Sequence, residues 1–144
     1  MAEIYTLRIE LIDGRFANSE WARVIEVSPE IDFVDLHYII QDAIKFDNDH
    51  MHEFHLGTSP YNRKVVFGEP DGWSDYEYRS VDTKLKEIYP LGKLKLFYHF
   101  DFGDDWLFQI KKERKVKQTE PRKKYPRIIE KIGRNPPQYG RGWY

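Results

Sequence analysis

The chain has 144 residues, 40% hydrophobic, 33% charged and 16% aromatic, which suits one globular domain with a core rich in rings. It holds no cysteine, so disulfides, thiolate metal centres and a cysteine nucleophile are excluded, and no run approaches the roughly 20 apolar residues of a membrane helix. The net charge of −1 hides an asymmetry: residues 1–110 carry 11 Lys and Arg against 21 Asp and Glu, and residues 111–144 carry 12 against 3. The opening "MAEIYTLRIELIDG" lacks the basic start and apolar run of a secretory signal, so the expectation is a soluble, cytoplasmic protein with no membrane partner.

Residues 2–12 alternate Tyr5, Leu7, Ile9 and Leu11 against Thr6, Arg8 and Glu10, the period of a half-buried strand. "DGRF" reads as a turn and "WARVIEV" as a second strand, so the chain opens with a hairpin. In "SPEIDFVDLHYIIQDAIKF", Asp32 is the predicted N-cap and Asp35 suits the positive end of the helix dipole. Phe33, Leu36, Ile40, Ala43 and Ile44 follow the 3–4 spacing of one buried helical face, with His37 expected at the core boundary with one hydrogen bond. "MHEFHLGT" and "RKVVFG" read as strands, and residues 68–80 as a long loop whose Trp73, Tyr76 and Tyr78 cover a sheet edge. Around Leu85 and Ile88 a helical turn is one reading. "KLKLFYHFDF" sets Leu94, Leu96, Tyr98 and Phe100 on one face and Lys95, Phe97 and His99 on the other, and Trp106, Phe108 and Ile110 repeat the pattern. The expected class is α+β, with a roll-like mixed or antiparallel sheet, one main helix packed on one face and the 98–106 hairpin at its centre. One domain is expected over 1–144, with a basic segment at 111–124 and a loose tail at 136–144.

The hairpin "YHFDFGDDW" places His99, Asp101, Asp104 and Asp105 among four aromatic rings. Turn chemistry accounts for much of it: Gly103 can take positive φ, and aspartates beside it can accept from nearby backbone amides. Its Asp-Phe-Gly letters lack the glycine-rich loop and catalytic loop of a kinase, and that reading is rejected. His99, Asp101, Asp104 and Trp106 are the candidate binding groove. A competing reading is a metal-dependent hydrolase or nuclease. Its divalent metal would sit on His50, His52, His99 and Asp101, helped by Asp104, and would need two strands to lie side by side. No cofactor is otherwise predicted, and no catalytic residue is assigned.

"FYHFDFGDDWLFQI", residues 97–110, resembles the signature F-x-Y-x-Y-D-F-G-D-x-W-x-h-x-I of the Ri-plasmid ORF-3-like family, also labelled transposon passenger proteins. "LHYIIQDAIKFDNDHMHEFHL", the opening strand and "YPRIIEKIGRNPPQYGRG" resemble further motifs of that family in the same order. The resemblance implies an α+β roll and an association with mobile elements, but no activity, because the family is essentially uncharacterised. Where the family closes with Pro-Pro-Glu-Asp, this chain has Pro136, Pro137, Gln138 and Tyr139, and where members often place cysteines it has Ile128 and Gly140. A carboxylate pair or thiolate in that region is therefore lacking here. The resulting expectation is a non-catalytic binding or accessory module.

The basic segment supplies Lys111, Lys112, Arg114, Lys115, Lys117, Arg122, Lys123 and Lys124 as candidate nucleic-acid contacts, through neutralisation of phosphates. Docking of the same segment on the acidic body is the alternative. The partner is thus protein or nucleic acid, and sequence does not choose between them.

Overall fold

The structure is a computed structural model that describes residues 2–138 apart from Phe16 and Asn18. Its strands are β1 (Glu3–Asp13), β2 (Ala22–Val27), β3 (His52–Gly57), β4 (Val65–Phe67), β5 (Glu77–Arg79), β6 (Lys95–Phe100), β7 (Trp106–Lys112), β8 (Lys117–Gln118) and β9 (Arg127–Ile132). The helix α1 spans Phe33–Ile44, and a 3-10 turn covers Leu85–Glu87. The sheet runs β5-β4-β3-β6-β7-β1-β2-β9, with β8 beside β1. Every pairing is antiparallel except β4 with β5, which makes the sheet mixed and the class α+β.

The helix forms where its cap and spacing predict. Asp32 accepts from the Asp35 backbone amide, and the Asp35 side chain accepts from the Asp32 amide, closing a capping box. It ends at Lys45, whose left-handed backbone (φ 63°) returns its amide to the Gln41 carbonyl. Phe33, Leu36, Ile40, Ala43 and Ile44 are all buried against the sheet. The Phe33 ring lies 4.0 Å from that of Phe67 and 5.1 Å from that of Phe54, so ring packing joins the helix to β3 and β4.

At the centre, Leu96 pairs with Ile110, Tyr98 with Phe108 and Phe100 with Trp106, the alternation predicted for β6 and β7. Residues directly opposite in an antiparallel pair share a face, so this column and β1's Leu7 and Ile9 form the surface under the helix.

Three strands escape the sequence pattern. β5 lies inside the stretch read as loop, and its Tyr78 ring lies 5.3 Å from that of Tyr76, tilted at 52°, while Trp73 is 89% exposed rather than covering an edge. β8 has two residues, and β9 is an edge strand with mostly exposed side chains, so neither shows alternation. After β9, Gly133 (φ 78°) passes so close to the Glu20 carbonyl that a Cβ would lie 1.9 Å from it. That close approach brings Asn135 Oδ1 to accept from Trp21 Nε1 at 2.7 Å and Arg23 Nη2 at 2.9 Å. In the tail expected to be loose, Gln138 is buried, and residues 139–144 lie outside the described residues.

Candidate functional site

In the β6–β7 turn the left-handed residues are Asp101 (φ 61°) and Asp105 (φ 55°) rather than Gly103. Asp101 Oδ1 accepts from the amides of Gly103 at 3.1 Å and Asp104 at 3.2 Å, and the Asp101 carbonyl accepts from the Asp105 amide at 2.6 Å. A short polar side chain that bonds its own turn tolerates the left-handed region better than most. Burial and the nearby Asp101 carboxylate hold the Asp104 carboxyl above its usual range, with Arg15 Nη1 at 3.8 Å acting in the opposite direction.

The four residues of the candidate groove do not share a surface. His99 pairs in register with Glu53 on the face away from the helix, and its Nε2 lies 2.8 Å from Asp105 Oδ1. Trp106 is wholly buried on the helix face, its ring 4.8 Å from that of Phe46. His99, Asp101, Asp104 and Trp106 thus lie in a turn, a far-face contact and a core ring. The alternation of β6 and β7 separates them.

The metal constellation is dispersed in the same way. β3 and β6 are neighbours, as it required, but their register pairs His52 with Phe100, and this puts His52 and His99 on opposite faces. His50 Nε2 stands 3.5 Å from Asp49 Oδ1 and 3.5 Å from Asp101 Oδ2. Among the described residues, no three His, Asp or Glu side chains converge where a metal could be held.

A different polar group forms where α1 crosses β3 and β6. His37 Nδ1 lies 2.6 Å from the Tyr98 hydroxyl and His37 Nε2 lies 2.5 Å from Asn48 Oδ1. Gln41 Nε2 donates to the same hydroxyl at 3.0 Å, and the Asn48 amide donates to Gln41 Oε1 at 3.1 Å. These bonds close a ring through His37, Tyr98, Gln41 and Asn48. One pattern satisfies all of it: neutral His37 donates from Nε2 to Asn48 and accepts at Nδ1 from Tyr98. His37 is therefore more deeply held than a boundary histidine with one bond.

Burial pushes the His37 imidazole below its ordinary pKa, with Asn48 partly opposing the shift, and raises the Tyr98 phenol. The His52 ring lies flat on His37, 3.6 Å between centroids, and burial of that face together with His37 lowers its pKa to about 4. From the chain's end, Gln138 Oε1 accepts from the Asp47 amide at 2.6 Å and Gln138 Nε2 donates to Asp49 Oδ1 at 2.8 Å. The 46–50 loop is thus gripped by the helix on one side and by the C-terminal segment on the other. The spacing of His37 and Gln41, four apart on the buried stripe, was the available sequence signal.

The basic segment divides into two surfaces. Lys111, Lys112 and Arg114, with Lys95 from β6, border a cleft of about 740 Å³ that Tyr5, Tyr89, Leu94 and Ile110 also line. Its described lining residues include four cations and no carboxylate, Lys95 and Lys111 coming from the face of their strands away from the helix. Lys111 reaches out to Glu10 at 3.1 Å, and Lys112 Nζ sits 4.6 Å above the Tyr5 ring. A neighbouring hollow holds Lys115, Lys117, Lys123 and Arg127 together with Glu26 and Glu120. There Glu26 accepts from Lys117 at 3.0 Å and faces Arg127 at 3.6 Å, and Lys123 pairs with Glu120. Arg122 and Lys124 are exposed on the turn beyond it.

The architecture is that of an α+β protein with one long helix on a mixed sheet whose centre carries the Asp-Phe-Gly-Asp-x-Trp hairpin. Residues 3–142 match the family of plasmid pRiA4b ORF-3-like proteins, and the chain belongs to that family, the one its motifs resembled. It is 33% identical over 106 residues to the uncharacterized protein y4hQ of Sinorhizobium fredii, covering 72% of this chain and 50% of that protein. The chain spans about half the length of this curated relative. The crystal structure of a protein of unknown function, MM3350 from Methanosarcina mazei Go1, matches with a TM-score of 0.71 at 24% identity, over 90% of this chain and 69% of that one, which shows a common fold. No helix among the described residues is long and apolar enough to cross a membrane.

Proposed function

We propose that this protein is a non-catalytic binding module that engages the phosphate backbone of a nucleic acid through the cleft bordered by Lys95, Lys111, Lys112 and Arg114. The observation that carries this reading is the cleft's one-sided charge: four cations and no carboxylate line it, whereas the adjacent hollow mixes lysines with Glu26 and Glu120. Cations gathered along a concavity focus positive potential and attract a polyanion, even though Lys111 also reaches Glu10. Phosphate contacts of this kind release counterions and make binding strongly salt-dependent. The competing hydrolase reading needs its histidines and aspartates around one point, and the β3–β6 register separates His52 from His99. Association with mobile elements rests on the family's plasmid-derived description alone.

The test is fluorescence anisotropy with labelled single-stranded and duplex oligonucleotides at increasing salt. Lys95→Glu combined with Arg114→Glu is compared with Lys84→Glu combined with Lys86→Glu, an equal charge change beside Glu30. The expected result is that the cleft pair alone weakens binding. It should also flatten the slope of log K against log salt, by about 1.4 for a single strand or about 1.8 for a duplex. Equal weakening by both pairs, or no binding at low salt, would overturn the proposal.

A further inference from the structure

We infer that the His37–Tyr98–Gln41–Asn48 ring is a proton-operated clasp, which holds residues 47–50 and the Gln138 segment closed while His37 is neutral and releases them when His37 takes up a proton.

The argument rests on the supply of donors and acceptors around one buried imidazole. Neutral His37 needs one donor and one acceptor, and Tyr98 and Asn48 provide them. A protonated imidazole donates from both nitrogens. Its Nδ1–H would then point at the Tyr98 hydroxyl, which already accepts from Gln41, and the hydroxyl proton would lose its acceptor in a fully buried position. Leaving such a group unsatisfied costs free energy on the scale of a lost hydrogen bond or more. Relief comes from rotating the network apart, and Asn48 is the member that can leave. It sits on an exposed loop in the left-handed region (φ 55°), whereas Tyr98 and Gln41 are fixed in β6 and α1.

The surroundings do not compensate a cation. β3 presents His52, whose ring is stacked 3.6 Å away at an interplanar angle of 8° and supplies no negative charge to a charged His37. α1 presents Tyr38 and β6 presents Tyr98. Asp49 bonds Gln138, while Asp101 and His50 face one another and His50 lies beside Phe100. Among the described residues, no carboxylate pairs with either His37 nitrogen. Burial lowers the affinity of His37 for protons, in agreement with this geometry.

Opening is limited to the segment beyond Phe46, because that ring is anchored against Phe100 and Trp106. Release of Asn48 also loosens Asp47 and Asp49, which both bond Gln138.

The sign follows from linkage. A histidine whose pKa is lower in the closed state contributes its full stabilisation above the open-state value of about 6.5 and loses it as pH falls below that value. Each linked proton raises the open-to-closed ratio by up to about tenfold per pH unit over this range.

The experiment is amide hydrogen exchange by NMR on the full chain between about pH 8 and pH 5, corrected for intrinsic rates, together with titration of the His37 ring resonances. The Asp47 and Asn48 amides should lose protection as pH falls below about 6.5, by up to about tenfold per unit, while the β6 and β7 amides remain protected. His37→Gln should flatten this dependence, and His50→Gln should leave it intact. If His37→Gln does not fold, the native protein still decides: the ring's titration midpoint must coincide with the midpoint of lost protection. Constant protection at Asp47 and Asn48, the same loss in folded His37→Gln, loss of the dependence in His50→Gln, or two different midpoints would each overturn the clasp.

Discussion

The 101–105 turn and the His37 ring meet on either side of Phe100, yet they are assembled by opposite means. Asp101 bonds amides two and three residues ahead, so the turn satisfies its carboxylate from its own stretch of chain. The ring joins residues 61, 57, 11 and 7 positions apart, drawn from α1, β6 and the 46–50 loop. A local turn has nearly all its partners before the sheet exists. A non-local ring has them only when helix, sheet and loop are all in place, and it then depends on every member being in the right protonation state.

Substitutions at three positions probe that difference. The largest expected effect is from Phe100→Ala, because this ring is fully buried and touches both regions, with His37 at 6.4 Å, His50 at 5.9 Å and Phe46 at 5.9 Å. Urea unfolding should show a loss of about 3–5 kcal/mol. A loss of less than ~1 kcal/mol would mean that the two regions are not coupled through the core.

Tyr98→Phe comes next. It strips partners from His37 Nδ1 and Gln41 Nε2 in a buried site and should cost about 1–3 kcal/mol. It should also reduce exchange protection at Asn48 while leaving the Gly103 and Asp104 amides as they are. The smallest effects are at Asp101, where Asp101→Ala is expected to cost about 1–2 kcal/mol from two lost turn bonds and an alanine held at positive φ. Asp101→Asn keeps an acceptor and tolerates that backbone, so it should cost less than the alanine. In either Asp101 variant, lost protection at Asn48 would show that the turn and the ring act as one unit.

What could be read from the residues alone follows the same division. The α1 face, its Asp32–Asp35 cap and the alternation of β1, β3, β6 and β7 all depend on periods of 3.6 or 2 within one segment. They were legible for that reason. The turn role of Asp101 was legible too, although the positive φ expected at Gly103 belongs to Asp101 and Asp105. The metal and groove readings turned on register, because alternation alone does not say that β3 pairs with β6 so as to send His52 and His99 to opposite faces. His37 looked like a boundary residue because its partners, Tyr98 and Asn48, are invisible from the helix.

By itself, then, the sequence determined the elements whose stability comes from a repeating local pattern, and the family that the hairpin motif marks. The tertiary structure alone decided the exposed edge strand β9, the separation of the basic segment into a cleft with no carboxylate among its described lining residues and a hollow whose lysines meet Glu26 and Glu120, and the ring around His37. In each of these, the partner that determines a residue's role lies on a different element, and only the packed sheet and helix bring the two within reach.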